Sequence, residues 1–209
     1  MRRIAVVVHA EAQHHVDQLV GGWYDSSLTE HGRKQARQVG IALRRVFPEL
    51  HVPIVSSDLK RARQTAEIIG EVLQSAVVLD PRLRELSYGI AEGRPKSWLA
   101  ERIVATPTCG SRLDYRVCEG AESRRDLATR VYAALDEILA SDVKDVIIVT
   151  HGFAATFVIA CWIGLPIDKA DYVKFAVSPA SLSLLVEDDV FMNRSVQCLN
   201  DTHHLVERR

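Results

Sequence analysis

Arg3-Ile4-Ala5-Val6-Val7-Val8-His9-Ala10-Glu11-Ala12 is an apolar, β-branched run that stops abruptly at a histidine, small residues and an acid. A short continuous apolar run of this kind suits a strand buried on both faces. In an open parallel sheet, ligands bind beyond the carboxyl ends of the strands, so His9 stands where a reacting group belongs. A histidine that only caps the strand end would read the same way, and the rest of the chain has to decide between the two.

Downstream, the pattern alternates. Val52-Pro53-Ile54-Val55-Ser56, Val77-Val78-Leu79 and Val146-Ile147-Ile148-Val149-Thr150 read as further strands, the last again ending in histidine, His151-Gly152. Between them lie helical periods. Ala36, Val39, Leu43 and Val46 form an apolar stripe behind a Thr29 N-cap, and Pro48 ends that helix. Leu59, Ala62, Ala66, Ile69 and Leu73 mark a second helix, capped by Ser57 or Asp58. An amphipathic helix from about 122 to 140 and a largely apolar one from 153 to 163 follow, the latter closed by Gly164 and Pro166. Runs at 180–187 and 191–199 flank the acidic turn Glu187-Asp188-Asp189 and read as a hairpin or as edge strands. Gln13 to Ser27 reads as a polar loop. Alternating strands and helices predict an α/β fold, a three-layer sandwich around a central, mostly parallel sheet. The 209 residues suit one domain over 1–209, with 82–119 inserted as a cap over the sheet's functional edge.

Composition narrows the partners. Hydrophobic residues make up 47%, which excludes a disordered chain. With 26 basic and 27 acidic residues, neither nucleic acid nor a membrane surface is expected as partner. No apolar stretch is long enough to span a bilayer, and the N-terminal apolar run is too short for a signal peptide. Cys109, Cys118, Cys161 and Cys198 are scattered without Cys-x-x-Cys spacing, so reduced thiols in a cytoplasmic protein are expected, and a zinc site is not.

Four groups fall together on the predicted edge: His9 after the first strand, Arg61 in the first turn of a helix, Glu85 opening the insertion and His151 after a later strand. Two imidazoles and a guanidinium suggest an oxyanion pocket, because the arginine fork matches phosphate and a helix N-terminus adds positive potential. An unprotonated histidine there can attack phosphorus, and a carboxylic acid can protonate the leaving oxygen. The competing reading pairs Arg61 with Asp58 or Glu67 on a solvated helix face, and Glu85 with Arg82 or Arg84.

Five stretches carry a family resemblance: Val8-His9-Ala10-Glu11-Ala12; Gly22-Trp23-Tyr24-Asp25-Ser26-Ser27-Leu28-Thr29-Glu30-His31-Gly32; Ser56-Ser57-Asp58-Leu59-Lys60-Arg61-Ala62-Arg63-Gln64-Thr65-Ala66; Leu83-Arg84-Glu85-Leu86-Ser87-Tyr88-Gly89; and Thr150-His151-Gly152. In that order they resemble the histidine phosphatase superfamily, in its phosphoglycerate-mutase-like branch. The resemblance implies that His9 is the nucleophile that becomes phosphohistidine. His151 is then the second pocket histidine, Arg61 a phosphate-binding arginine and Glu85 the proton donor. It implies hydrolysis of a small phosphorylated metabolite without metal or organic cofactor, whereas mutase relatives need a bisphosphoglycerate primer. His15, where the family commonly has asparagine, and Trp23 are expected at the substrate. A homodimer through an edge strand fits the fold.

One motif departs from the pattern. The family begins it Arg-His-Gly; here it reads Val8-His9-Ala10. Loss of a donor of that type costs about 3–4 kcal/mol of transition-state stabilisation. Ala10 adds a methyl where a glycine gives backbone freedom or close approach. Either His14, His15, Arg63 or Arg84 supplies the missing charge, or the site has weakened toward phosphate binding with little turnover. Among the insertion's basic residues, Arg94, Lys96, Arg102, Arg112 and Arg116 are the expected selectors of substrate.

Overall fold

A computed structural model describes residues 1–49 and 51–206. β1 (Arg2–Val8) is central in a six-stranded sheet, with β4 (Asp145–Thr150) parallel on one side and β5 (Leu182–Glu187) antiparallel on the other. β2 (Ile54–Ser56) and β3 (Val77–Leu79) extend the parallel half, and β6 (Arg194–Asp201) closes the antiparallel edge. The order is β3-β2-β4-β1-β5-β6. The two late runs thus form a hairpin and also continue the sheet through β1.

The pleat distributes the apolar residues between two cores. Ile4, Val6 and Val8 of β1 join Val146 and Ile148 of β4 on one face, under α5 (Arg124–Ala140) and α6 (Gly152–Trp162). Ala5, Val7, Ile147 and Val149 face the other way, onto α2 (Glu30–Val46) and α3 (Lys60–Leu73). Helices on both faces make the three layers, and they explain why β1 and β4 are apolar without alternation. In α6 every residue from Ala154 to Trp162 is buried, as expected of a helix apolar all round.

Local chemistry accounts for the helix starts, with one correction. Thr29 caps α2, its Oγ1 accepting from Gly32 N–H at 2.9 Å. Gly32 is required: a Cβ there would meet the Glu11 carbonyl at 2.0 Å, so α2 could not seat against the loop after His9. For α3 the N-cap is Leu59 rather than Ser57 or Asp58, and its side chain makes no capping bond. Ser57 Oγ accepts from Leu59 N–H and Asp25 from Lys60 N–H instead. The stretch read as a loop from Gln13 contains a short helix, α1 (Gln13–Val16). Its capping bond comes from His15 Nδ1, which accepts from Ala12 N–H at 3.2 Å, a role for histidine that no capping preference anticipates.

The stretch 82–119 carries short helical turns and α4 (Lys96–Ala100), built around Ala91 and Cys118 with Tyr88, Trp98 and Leu99 packed against them. Among the described residues, no helix is long and apolar enough to cross a membrane.

Candidate active site

The sheet order β2-β4-β1 sets Ser57, His151 and His9 side by side, each one residue beyond its strand. Backbone bonds fix the row: His9 N–H donates to Thr150 O and Ser57 N–H to Val149 O, each at 2.9 Å. The His9 and His151 rings meet edge to face with centroids 5.0 Å apart.

His9 is held in one tautomer. Its Nδ1–H donates to the Ala10 carbonyl at 2.8 Å, so Nε2 keeps its lone pair and accepts from Arg61 Nε–H at 3.2 Å. Burial, and then the Arg61 cation, push the His9 pKa well below the usual 6.5. The ring is therefore neutral near pH 7, and its free nitrogen points at a guanidinium.

Arg61 is the most unusual side chain here. It is 1% exposed and holds no carboxylate; Nη1 donates to Tyr24 O at 2.9 Å and Nη2 to Gly22 O at 2.6 Å. Desolvation lowers its pKa to about 10, which still leaves it charged at neutral pH. A buried cation with neutral partners is an anion site in waiting. The competing pairs form elsewhere: Arg84 with Asp58, Arg63 with Glu67, and Arg82 with Asp80 and Glu137. Neither Arg61 nor Glu85 takes part in any of them.

Glu85 sits at the start of α6. Its carboxylate accepts from Leu86 N–H (2.9 Å), Phe153 N–H (3.0 Å) and Ala154 N–H (3.1 Å). Those bonds favour the ionised form, yet burial outweighs them and the Glu85 pKa is raised above 4.5. His151 is fully buried; its Nε2 lies 2.8 Å from Ser57 Oγ, and its Nδ1 has no partner. Burial, then Arg61, hold its pKa well below the usual 6.5.

These groups share a cavity of about 420 Å³, lined by His9, His15, Arg61, Glu85, Val8 and Lys96 among others. His15 stacks on His9 with centroids 5.4 Å apart. His151 lies beneath the cavity rather than in its wall. Trp23 is not in the wall either: its Nε1–H donates to Glu85 O at 2.7 Å and its ring lies under Arg84 and Arg130. It braces the backbone that carries the acid.

Val8 lines the cavity while packed into the core, 4% exposed. Of the four groups expected to replace an arginine there, two are paired with carboxylates and two have lowered pKa values. Arg63 and Arg84 hold carboxylates, burial pushes His14 down to about 3, and His15 is lowered too, chiefly by burial. Ala10 departs less than expected. Its backbone lies outside the left-handed region, and its methyl is buried in the core under α2 and α3. Of the basic cluster, Lys96 reaches this cavity and Arg112 a neighbouring one, whereas Arg102 and Arg116 pair with Glu101 and Asp126. Arg124 is half-buried over Phe153 and Phe157. His203 and His204 line a separate groove with Gln38 and Arg45.

Ser57 was not expected to hold His151. The sequence signal was there in the two-residue offset from Ser57 to Leu59, but capping and catalysis compete for the same hydroxyl.

The model of the histidine phosphatase superfamily (branch 1) matches residues 4–201. Probable phosphoglycerate mutase GpmB of Klebsiella pneumoniae is 35% identical over 175 residues, 79% of this chain and 77% of that protein. Its namesake in Proteus mirabilis is 37% identical over the same shares. Among solved structures, mycobacterial hydrolase 1 superposes with a TM-score of 0.79 at 27% identity, over 95% of this chain and 98% of that one. A mycobacterial glucosyl-3-phosphoglycerate phosphatase, solved with VO3, gives 0.76 at 27% identity over 97% and 100%. The chain belongs to the histidine phosphatase superfamily.

Proposed function

We propose that this member of the superfamily is a phosphatase that hydrolyses small phosphomonoesters through phosphohistidine at His9, with no step routed through a metal. The observation that carries the proposal is the lone pair of His9 Nε2, set 3.2 Å from a buried Arg61 that no carboxylate neutralises.

A phosphoryl group takes the place of the Arg61–His9 hydrogen bond, its oxygens facing the guanidinium. His9 Nε2 attacks phosphorus as the bond to the ester oxygen breaks. Glu85, whose pKa burial raises, gives its proton to the departing oxygen when it reacts in its acid form. Glu85, now a carboxylate, takes a proton from water, and the resulting oxygen attacks phosphorus. The P–N bond breaks, phosphate leaves, and His9 regains its lone pair. Ser57 Oγ accepts from Leu59 N–H and has its own proton for His151 Nε2. His151 then carries its hydrogen on the unpartnered Nδ1 and packs edge to face against the His9 ring, 5.0 Å between centroids. We take 82–119 as the cap that closes over this site.

Val8 makes the enzyme a weak one on this reading, since a non-polar side chain stands where a further donor would contact the transferring group. A phosphoglycerate mutase is the second reading, favoured by the names of the relatives at 35–37% identity. Phosphate release from a panel of small phosphomonoesters in EDTA, with His9→Ala alongside, tests the first. Interconversion of phosphoglycerates that needs a bisphosphoglycerate primer would replace it by the second.

A further inference from the structure

A second cavity, of about 450 Å³, adjoins the first under the stretch 82–119; Tyr88 and Leu99 belong to both walls. Tyr88 and Leu99 form the partition between them, and the acid lies on its first side. Glu85 faces the first cavity, and Phe153, whose N–H holds the Glu85 carboxylate, faces the second. The acid proposed to protonate the leaving oxygen is thus held by a residue of the second cavity's wall, which puts that cavity next to the leaving group.

Its lining has a definite chemistry. Leu86, Leu99, Ile103, Tyr115, Val117 and Phe153 give apolar and aromatic walls. Into these walls come two arginines, Arg112 and Arg124, whose side chains form no ion pair among the described residues; the nearby Asp171 carboxylate accepts from Ser111 Oγ and the Arg112 backbone N–H instead. Arg112 makes no side-chain hydrogen bond among the described residues; its guanidinium lies 4.5 Å above the Tyr172 ring. Arg124 lies over Phe153, gives Nη2 to the carbonyls of Ala170 and Val173, and leaves Nε buried without a partner. The one acid in the wall, Glu122, is held by two Arg130 hydrogen bonds of 2.8 and 2.9 Å. The cavity therefore presents net positive charge inside apolar walls. Half-buried guanidiniums with no anion favour a ligand that brings one.

We infer that this cavity is the leaving-group subsite, and that it selects phosphomonoesters whose alcohol part has an apolar body ending in a carboxylate. The inference rests on the proposed phosphoryl site and names the class of substrate for it. Arg112 meets the carboxylate, Arg124 adds charge from the floor, and the apolar walls take the body.

Calorimetric titration of the whole protein with two phosphonates tests this without turnover: heptylphosphonate, and 7-phosphonoheptanoate, which adds a terminal carboxylate. The carboxylate-ended compound should bind about tenfold more tightly, the scale of one charge-assisted contact. Arg112→Gln, which breaks no side-chain hydrogen bond among the described residues, should abolish that preference and leave heptylphosphonate affinity unchanged. Arg124→Gln should reduce the preference. Equal affinity for the two compounds, binding of neither, or a preference that survives Arg112→Gln would overturn the subsite. Hydrolysis of hexyl phosphate and 6-(phosphonooxy)hexanoate separates the two levels. A binding preference without turnover leaves the subsite standing and removes the phosphatase reading.

Discussion

Arg61 Nε donates to His9 Nε2 across 3.2 Å, so the proposed phosphate ligand and the proposed nucleophile are each other's hydrogen-bond partner. Substrate has to come between them. The same contact depresses the His9 pKa, after burial has done most of it. Arg61→Gln removes the cation, so the His9 pKa should rise and the acid limb of the kcat/KM profile should move to higher pH. The rate at its optimum should fall by about a hundred- to a thousandfold, as for loss of one preorganised donor. A pH profile of kcat/KM reads both. An acid limb that stays in place would detach Arg61 from His9.

Glu85 predicts the alkaline limb. The acid must be protonated and His9 neutral, and burial moves the two pKa values toward that combination: Glu85 up from 4.5, His9 down from 6.5. Activity should rise as His9 loses its proton and fall as Glu85 loses its own, giving a bell-shaped profile. Glu85→Gln should abolish the alkaline limb together with most of the rate. Stability carries the same sign. A carboxyl whose folded pKa is raised binds more protons folded than unfolded, so its contribution is lost as pH climbs from 4.5 through the folded value. Denaturant titrations across that window should show native stability falling relative to Glu85→Gln.

Val8 and Ala10 should separate when substituted one at a time. Val8→Arg places a guanidinium at the cavity wall and should raise kcat/KM by about a hundredfold, if the site lacks only that donor. Ala10→Gly should leave the rate alone and cost about 1 kcal/mol of stability, because the backbone needs no left-handed conformation and the methyl is buried. Steady-state kinetics with urea denaturation measures both. A loss of activity in Val8→Arg would mean that the pocket has been retuned around valine.

Trp23 should behave as a brace. Trp23→Phe removes the hydrogen bond to the Glu85 carbonyl, so kcat and stability should fall, the latter by about 1 kcal/mol, while KM stays put. A raised KM with intact stability would return Trp23 to the substrate.

What the sequence made legible follows from periodicity and strand ends. The apolar runs of β1 and β4 announced buried parallel strands, and the histidines that stop them announced the site, because strand ends in such a sheet converge. Thr29 as a cap was equally plain, being set by its nearest neighbours in the chain. The rest depended on distance. Trp23 stands next to the motif in sequence, but its indole turns to Glu85 and two arginines, contacts made across 62 residues in the first case. Arg124 follows the Ser123 cap in sequence, and its packing over Phe153 and Phe157 comes from another helix. Ser57 could cap a helix or hold a histidine, and only the strand order β2-β4 put His151 beside it.

Phosphohistidine at His9 is most directly tested by rapid acid-free quenching during turnover of a radiolabelled phosphomonoester, with EDTA throughout. The expected result is label on the protein that survives alkali, is lost in acid, maps to His9 and is absent from His9→Ala. Turnover at the native rate with no such label, or label that persists in His9→Ala, would contradict it.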